Sequence, residues 1–145
     1  MKEYNSNILT IVTNNIYDKL KDISDNIYID KTTQGVEEPC FIVNVVDDYL
    51  KRQFSSLRRT DYTRDTTIEV VFLNSNENLI NIHQVAERML FALERLDFKG
   101  DTIHAKDVSS QILDGNIHLL VNYKLRLTEY PDKAPGMLEI NINHY

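Results

Sequence analysis

Hydrophobic and polar residues alternate along the chain from Asn116 to Thr128. A period of two places one set of side chains on each face of a strand, so this pattern predicts a long strand with one buried and one wetter face. Such strands are typical of antiparallel sheets, whose second face can stay open to water or to a partner. The apolar phase consists of Ile117, Leu119, Val121, Tyr123, Leu125 and Leu127, and the polar phase of His118, Asn122, Lys124, Arg126 and Thr128, interrupted only by Leu120.

Two other segments show the three- and four-residue spacing of amphipathic helices. The first predicted helix runs from about Ser6 to Asp22, and the second, which has the stronger period, from about Glu77 to Leu96. A turn at Asn74–Asn78 is expected to cap the second helix. The apolar stripes are Ile8, Leu9, Val12, Ile16 and Leu20 in the first helix, and Ile82, Val85, Ala86, Met89, Leu90, Leu93 and Leu96 in the second.

Shorter apolar runs predict further strands, which lie at Ile27–Asp30, Cys40–Asp47, Asp65–Leu73 and Thr102–Leu113. In the last of these the apolar phase slips, which predicts a β-bulge near Lys106 and Asp107. Asp114-Gly115 then joins this strand to the long one, and Asp-Gly between alternating runs predicts a hairpin because a type I′ turn needs positive φ twice. The polar, arginine-rich segment Asp48–Arg64 is either a loop or a pair of strand extensions that protrude beyond the core.

The predicted order of elements, α-β-β-β-α-β-β, indicates an α+β fold. Because each helix has a single apolar stripe, we expect a two-layer arrangement in which both helices cover one face of a mostly antiparallel sheet. The chain has 145 residues, of which 42% are hydrophobic, and this is enough for one core. Residues 1–130 are therefore expected to form one domain.

A C-terminal extension, residues 131–145, follows this domain. The segment Tyr130–Gly136 contains two prolines and a glycine, which indicates a stiff, extended spacer. Beyond the spacer, Leu138, Ile140 and Ile142 alternate with polar residues as in a short strand. This segment is either an edge strand on its own subunit, a frayed terminus, or an arm donated as a strand to a partner chain. Three apolar residues on one phase favour docking over disorder.

Composition excludes several functional classes. The formal net charge is −6, so the chain as a whole does not attract nucleic acid. Its single cysteine, Cys40, forms no internal disulfide, and we expect a buried, inert thiol because the residue lies in an apolar run beside Glu38. No signal peptide and no stretch long enough to span a bilayer are visible. We therefore expect a soluble protein that is made in the cytoplasm.

No catalytic, cofactor-binding or metal-binding motif is found in the sequence. There is no GxSxG, GxGxxG or P-loop, and glycine is too scarce for a phosphate cradle. None of the four histidines has the spacing of a metal site, although His104 and His118 are candidates for cross-strand neighbours. We therefore expect a protein without cofactor, metal or catalytic residues, and so not an enzyme.

Basic and aromatic residues alternate in the connection between the second and third predicted strands. This pattern is typical of protein interfaces, and also of nucleic-acid binding or of a solvated loop. Nearby aspartates weaken the nucleic-acid interpretation and fit charge pairing between identical subunits. The candidate subunit-interface residues are Arg52, Arg58, Arg59, Asp61 and Arg64.

The chain resembles the phage tail terminator proteins of Firmicutes prophages and phage-tail-like particles, over roughly Ile8 to Tyr130. The resemblance rests on pattern and involves no invariant catalytic signature. The segments that carry it are Glu38–Val45, the arginine-rich connection Phe54–Arg64, the strand Thr67–Leu73, the helical segment Val85–Leu90, and the closing hairpin Ile112–Leu119.

The resemblance implies a structural role without enzymatic activity. Proteins of this family form a hexameric ring that caps the head-proximal end of the tail tube and stops its polymerisation. The implied partners are other copies of the chain, the tail tube protein, the sheath protein in contractile tails, and a connector protein where a head is present. No membrane or nucleic-acid partner is implied. The implied location is the bacterial host cytoplasm during assembly, and then the phage or phage-like particle.

Other functional classes stay open at this point. The chain can instead be another tail or connector morphogenesis protein, or a small α+β domain that binds a ligand or nucleic acid. The mass of the assembly in solution discriminates between them, because a ring of six copies supports a terminator. A monomer or dimer favours the alternatives, although some terminators close into rings only on the tube.

Overall fold

The computed structural model describes residues 8–29, 35–74, 81–98, 100–130 and 138–141. These form two helices, α1 (Ile8–Leu20) and α2 (Ile82–Leu93). The strands are β1 (Ile27–Ile29), β2 (Cys40–Ser55), β3 (Thr60–Leu73), β4 (Arg95–Phe98), β5 (Asp101–Leu113), β6 (Asn116–Glu129) and β7 (Leu138–Asn141).

The strands join one mixed sheet in the order β1-β2-β3-β6-β5-β4, and β7 pairs with β6 off this path. Only the β1-β2 pair is parallel, and the other pairs are antiparallel. The predicted α+β class and the mostly antiparallel sheet are therefore confirmed. The long strand β6 lies at the centre, between β3 on one side and β5 and β7 on the other.

The apolar phase of β6 forms the middle of the core, as the alternation predicts. All six of its apolar residues, from Ile117 to Leu127, are buried in one cluster with alternate residues of β2 and β3. Both helices contribute to the same cluster through parts of their predicted stripes. The members from the helices are Val12, Ile16, Leu20, Ala86, Met89 and Leu93.

The closing hairpin has the predicted turn and the predicted bulge. Asp114 and Gly115 both have positive φ, 53° and 79°, as a type I′ turn requires. The register between β5 and β6 shifts between Ala105 and Asp107, which places the bulge at Lys106. This shift lets the apolar residues on both sides of the bulge contact the same core.

The second helix is shorter than predicted at both ends. It begins at Ile82 with Asn81 as its N-cap, and the Asn81 side chain accepts a hydrogen bond from the Gln84 amide, so the cap is not in the predicted turn at 74–78. Residues 75–80, which include the predicted start at Glu77, lie outside the described residues. The helix ends at Leu93, and Leu96 reaches the core from the short strand β4, which the sequence did not predict.

The segment between the predicted second and third strands is extended rather than a loop. β2 continues to Ser55 and β3 begins at Thr60, so a hairpin turn at 56–59 joins two long strands. We call residues Asp47–Thr67 the distal hairpin. Its β3 half pairs with β6, whereas β1 pairs with β2 only from Phe41 to Val43. Among the described strands, none pairs with the outer edge of β2 from Val46 to Ser55, and these residues are exposed.

Part of the C-terminal extension is described as β7. It pairs antiparallel with the end of β6 in the same chain, and Ile140 is in register with Leu127 and Leu138 with Glu129. The third residue of the predicted arm, Ile142, lies outside the described residues. In the structure, β7 is thus an edge strand on its own subunit. The donation of this strand to a partner stays a prediction.

Candidate subunit interface

Within the distal hairpin, Arg64 is held by a carboxylate on the neighbouring strand. Its Nε and Nη2 donate to Asp48 Oδ1 and Oδ2 at 2.9 and 2.6 Å, and Thr66 Oγ1 donates to Asp48 Oδ1 at 2.9 Å. Asp48 faces Thr66 in the β2-β3 register, which sets it diagonally beside Arg64. The hydrogen bond from Arg64 is the main cause that lowers the pKa of Asp48, and that from Thr66 adds to it. Arg64 is therefore already paired within the subunit.

Asp61 and Arg59 also have partners inside the chain. The Asp61 side chain is buried, with the residue 5% exposed, and accepts a hydrogen bond from Thr128 Oγ1 on β6 at 3.0 Å. Arg59 Nε lies 3.5 Å from the other oxygen of Asp61, and the Arg59 guanidinium lies 5.4 Å from the centre of the Phe54 ring. These contacts fix the base of the hairpin turn to the sheet.

Arg52 and Arg58 differ from the other candidate residues. Both are exposed, and neither forms an ion pair with any of the described residues. Arg52 lies opposite Tyr62 on the same face as Arg64, and Arg58 lies in the turn. The structure thus divides the candidates into Arg59, Asp61 and Arg64, which brace the hairpin, and Arg52 and Arg58, which are accessible to a partner.

Positive charge is concentrated towards the turn. Lys51, Arg52, Arg58 and Arg59 lie between Tyr49 and Thr60, where no carboxylate occurs. With +4 in this segment and −6 for the whole chain, the rest of the molecule has a formal net charge of −10. A basic projection on an acidic body favours contact between a hairpin and the body of another copy.

Apolar side chains accompany this charge. Tyr49, Leu50, Phe54 and Leu57 are exposed along β2 and the turn, and Leu57 at the tip is 98% exposed. Exposed apolar residues grouped with arginine are typical of protein interfaces rather than of a solvated loop.

A second surface lies on the face of the sheet opposite the core cluster. Here a groove of about 530 Å³ is lined by residues of β3, β5 and β6, namely Glu69, Ser109, Ser110, Gln111, Leu113, His118 and Leu120. Leu113 and Leu120 are 46% and 45% exposed, and His118 Nδ1 lies 3.9 Å from Glu69 Oε2. Leu120 is the residue that interrupts the polar phase of β6, and this interruption is the signal for the site in the sequence.

Chemistry at the histidines and the cysteine is limited by their positions. His118 faces Gln111 on β5, whereas His104 faces Arg95 on β4, so the two histidines are not cross-strand neighbours as the sequence allowed. Within the described ranges, no group of three or more His, Cys, Asp or Glu residues is arranged to hold a metal ion. Cys40 is fully buried as predicted, and burial, followed by the charge of Glu38, raises the pKa of its thiol.

Comparison with known proteins identifies the family. A family model described as "Phage tail terminator protein" matches residues 7–135, which is most of the chain. The chain belongs to the phage tail terminator family. This is a family of structural proteins and is not known for enzymatic activity, so membership supports a structural role in tail assembly and a place in the virion.

Other comparisons add little to this assignment. No curated protein matches the chain. Among the solved structures that match, one has 11% sequence identity over 84% of this chain and 96% of the other. Its TM-score of 0.41 is too low for conclusions about fold or function. In the part of the terminator that the structure describes, no helix is long and apolar enough to cross a membrane.

Proposed function

We propose that this protein caps the head-proximal end of a phage or phage-like tail tube as a hexameric ring and stops tube polymerisation. The observation that carries the proposal is the family match over residues 7–135. The candidate interface supports it, since the exposed residues of the distal hairpin have the composition of a protein contact surface and no catalytic motif is present in the sequence.

The charge distribution of the subunit is compatible with a ring. A ring requires a heterologous interface, in which two different surfaces of the subunit meet. The distal hairpin is basic at its turn, while the rest of the chain is acidic, so like surfaces repel and unlike surfaces attract. Head-to-tail contact brings the basic hairpin of one copy to the acidic body of the next. The series of contacts closes into a ring when the rotation between neighbours divides a full turn.

The ring offers surfaces to further partners. One face meets the last ring of the tail tube protein, and the opposite face receives a connector protein in particles that carry a head. In a contractile tail or a phage-tail-like bacteriocin, the terminator also forms the collar that anchors the last sheath ring. We propose that Leu138, Ile140 and Ile142 supply that anchor as an added strand. Assembly takes place in the cytoplasm of the bacterial host.

Imaging particles made without the protein tests the capping function. We expect tubes of uncontrolled length, because nothing then stops polymerisation, and complementation with the intact chain restores a uniform length. Labelling the protein in complete particles should mark one end of the tube. Uniform tubes in its absence, or label along the tube, contradict the proposal.

Charge reversal tests the hairpin as the subunit interface. Reversal of Arg52 and Arg58 to Glu leaves the internal pairs intact, whereas Arg59→Glu would place a carboxylate beside Asp61 and damage the hairpin itself. We expect the double variant to lose the hexameric mass in solution or on purified tubes. The matched control is the double reversal of Arg95 and Lys106, which are exposed on β4 and β5 and change the net charge equally. An unchanged hexamer in the first variant removes the hairpin from the interface.

A further inference from the structure

The tip of the distal hairpin is a fixed turn that presents one apolar side chain. The Ser56 amide donates to the Arg59 carbonyl at 2.8 Å, and the amides of Arg58 and Arg59 both donate to Ser56 Oγ at 3.2 Å. Leu57 stands at this turn almost fully exposed, and next to it lies Arg58, which has no ion pair with any of the described residues. Because the turn is already ordered, docking it costs little conformational entropy.

The groove on the open face of the sheet has the complementary chemistry. Its apolar part consists of the half-exposed side chains of Leu113 and Leu120, and its charged part is the Glu69 carboxylate. Ser109, Ser110 and Gln111 on β5 form a polar side of the groove. A volume of about 530 Å³ is ample for a leucine side chain and a neighbouring guanidinium.

The tip cannot reach the groove of its own subunit. Both lie along β3, with the tip just before Thr60 and Glu69 in the groove. Nine residues of a paired strand separate Thr60 from Glu69 by about 30 Å along β3. Contact between the two surfaces therefore has to join different copies of the chain.

We propose that Leu57 of one copy inserts into the groove of the next copy, against Leu113 and Leu120, while Arg58 pairs with Glu69. This inference rests on the ring proposed above and names the two surfaces that meet in it. The occupant is a second copy because each subunit presents both halves of the contact, an exposed leucine beside a cation at the tip and two half-exposed leucines beside a carboxylate in the groove. A head-to-tail contact of this kind repeats from copy to copy, and it closes into a ring where the rotation between neighbours divides a full turn.

Nucleic acid is a poorer occupant of the groove, because the Glu69 carboxylate repels phosphate. The other occupant to be tested is a loop of the tube protein, which would take the place of a sister subunit. Both alternatives predict that Leu57 and Leu120 of different copies do not come together.

Cross-linking between two single-site variants tests the contact directly. Leu57→Cys and Leu120→Cys are prepared as separate proteins, mixed, and oxidised on purified tail tubes, so that rings which close only on the tube are included. We expect a disulfide-linked dimer that contains one copy of each variant. The native Cys40 is fully buried and does not compete. The matched control pairs Leu57→Cys with Phe91→Cys, a residue that is 67% exposed on α2, outside the groove.

A charge swap provides an independent readout. Arg58→Glu alone and Glu69→Arg alone should each weaken association of the copies roughly tenfold or more, because like charges then meet. The variant with both changes should recover most of the lost association. Neither residue belongs to the core, so thermal unfolding of the single variants should stay close to that of the parent.

Several outcomes overturn the proposal. These are cross-linking no stronger than in the Phe91 control, a disulfide from Leu57→Cys to a tube subunit carrying surface cysteines, or a charge swap that fails to restore association. The capping function is judged separately by tube length. If tube length depends on the protein but no cross-link forms, the capping function stands and the contact is rejected. If the cross-link forms but tube length is the same without the protein, the contact stands and the capping function is rejected.

Discussion

The arginines of the distal hairpin have two physical roles. Arg64 and Arg59 neutralise Asp48 and Asp61, and through these carboxylates they tie β2 to β3 and β3 to Thr128 of β6. Arg58 has no charged partner among the described residues, and its neighbour Leu57 has almost no contact with the chain. The first group makes the hairpin rigid, and a rigid hairpin lets the second group contact a partner at a low entropic cost.

The pair of Asp48 and Arg64 should appear in the pH dependence of stability. The pKa of Asp48 is lower in the folded chain than in the unfolded chain, so the pair stabilises fully above about pH 4, and this is lost as the pH falls through the folded pKa. We expect Asp48→Asn to lower the free energy of unfolding by about 1 kcal/mol at pH 7, a value reduced by partial solvent exposure. Urea unfolding of the parent and of Asp48→Asn between pH 2 and 7 measures this difference in the free energy of unfolding.

Asp47→Asn is the control for this experiment, since the neighbouring residue has the same chemistry, is exposed and points to the other face of β2. It should change stability little at any of these pH values. Equal losses in both variants, or a loss at Asp48 that persists at low pH, would show that the pair does not stabilise the hairpin.

Tyr123 carries a polar contact inside the core. Its hydroxyl donates to the Leu93 carbonyl at the end of α2, at 2.6 Å, and burial, followed by the charge of Glu94, raises the pKa of Tyr123 far above its usual value. Tyr123→Phe leaves that carbonyl without its donor, so we expect a loss on the order of 1–3 kcal/mol in the free energy of unfolding. Chemical denaturation measures the loss. Tyr49→Phe, at an exposed position, should lose nothing, and an equal effect in both would contradict this role.

The sequence reveals the burial of Tyr123 but not that of Asp61, and it does not reveal which of these residues pair. Alternation along β6 places Tyr123 in the core, yet its bond to Leu93 depends on where α2 ends. The partner of Arg64 depends on the register of β2 against β3, and this register includes shifts between Val45 and Asp47 and between Arg52 and Phe54. In a polar segment, the sequence pattern does not reveal such register shifts. The sequence therefore named five candidate interface residues without showing which pair inside the subunit and which are accessible to a partner.

At the scale of elements, prediction succeeded where one face of an element is apolar. β6, its hairpin turn and the bulge in β5 were predicted because a regular apolar phase marks both the strand and the place where it slips. β4 was missed because Leu96 continues the helical spacing of α2, although it reaches the core from a strand. The extensions of β2 and β3 have polar residues on both faces. Their sequence therefore does not distinguish a loop from a pair of protruding strands.

The turn between β5 and β6 is an element-level prediction that stability can test. Gly115 has φ of 79°, and an added Cβ would meet no atom closer than the Asn74 carbonyl oxygen at 4.0 Å. The cost of Gly115→Ala is thus conformational, about 1 kcal/mol, and should appear in thermal or urea unfolding. Gly115→Asn should recover part of it, because asparagine tolerates positive φ better. Equal stability of all three proteins would show that the turn does not select this conformation.

At the scale of the whole molecule, the described part of the terminator combines a core with the distal hairpin and the edge strand β7. The hairpin lies inside the matched residues 7–135, whereas β7 lies beyond them. A capping role common to the family should therefore use the hairpin, and the extension should serve a partner that not every tail possesses. The sheath of a contractile tail is such a partner.

Truncation after Tyr130 separates the two possible roles of the extension. If β7 stays on its own β6, its removal exposes the edge of β6 at Arg126–Glu129, so hydrogen exchange there should accelerate and the isolated protein should lose stability. If the strand is donated instead, the isolated protein should keep its stability while the end of the sheath loosens on capped tubes. A matched variant with Leu138, Ile140 and Ile142 changed to Ser removes the apolar phase without shortening the chain. Normal sheath anchoring in both variants contradicts the donated arm, because in that case the apolar phase serves only its own sheet.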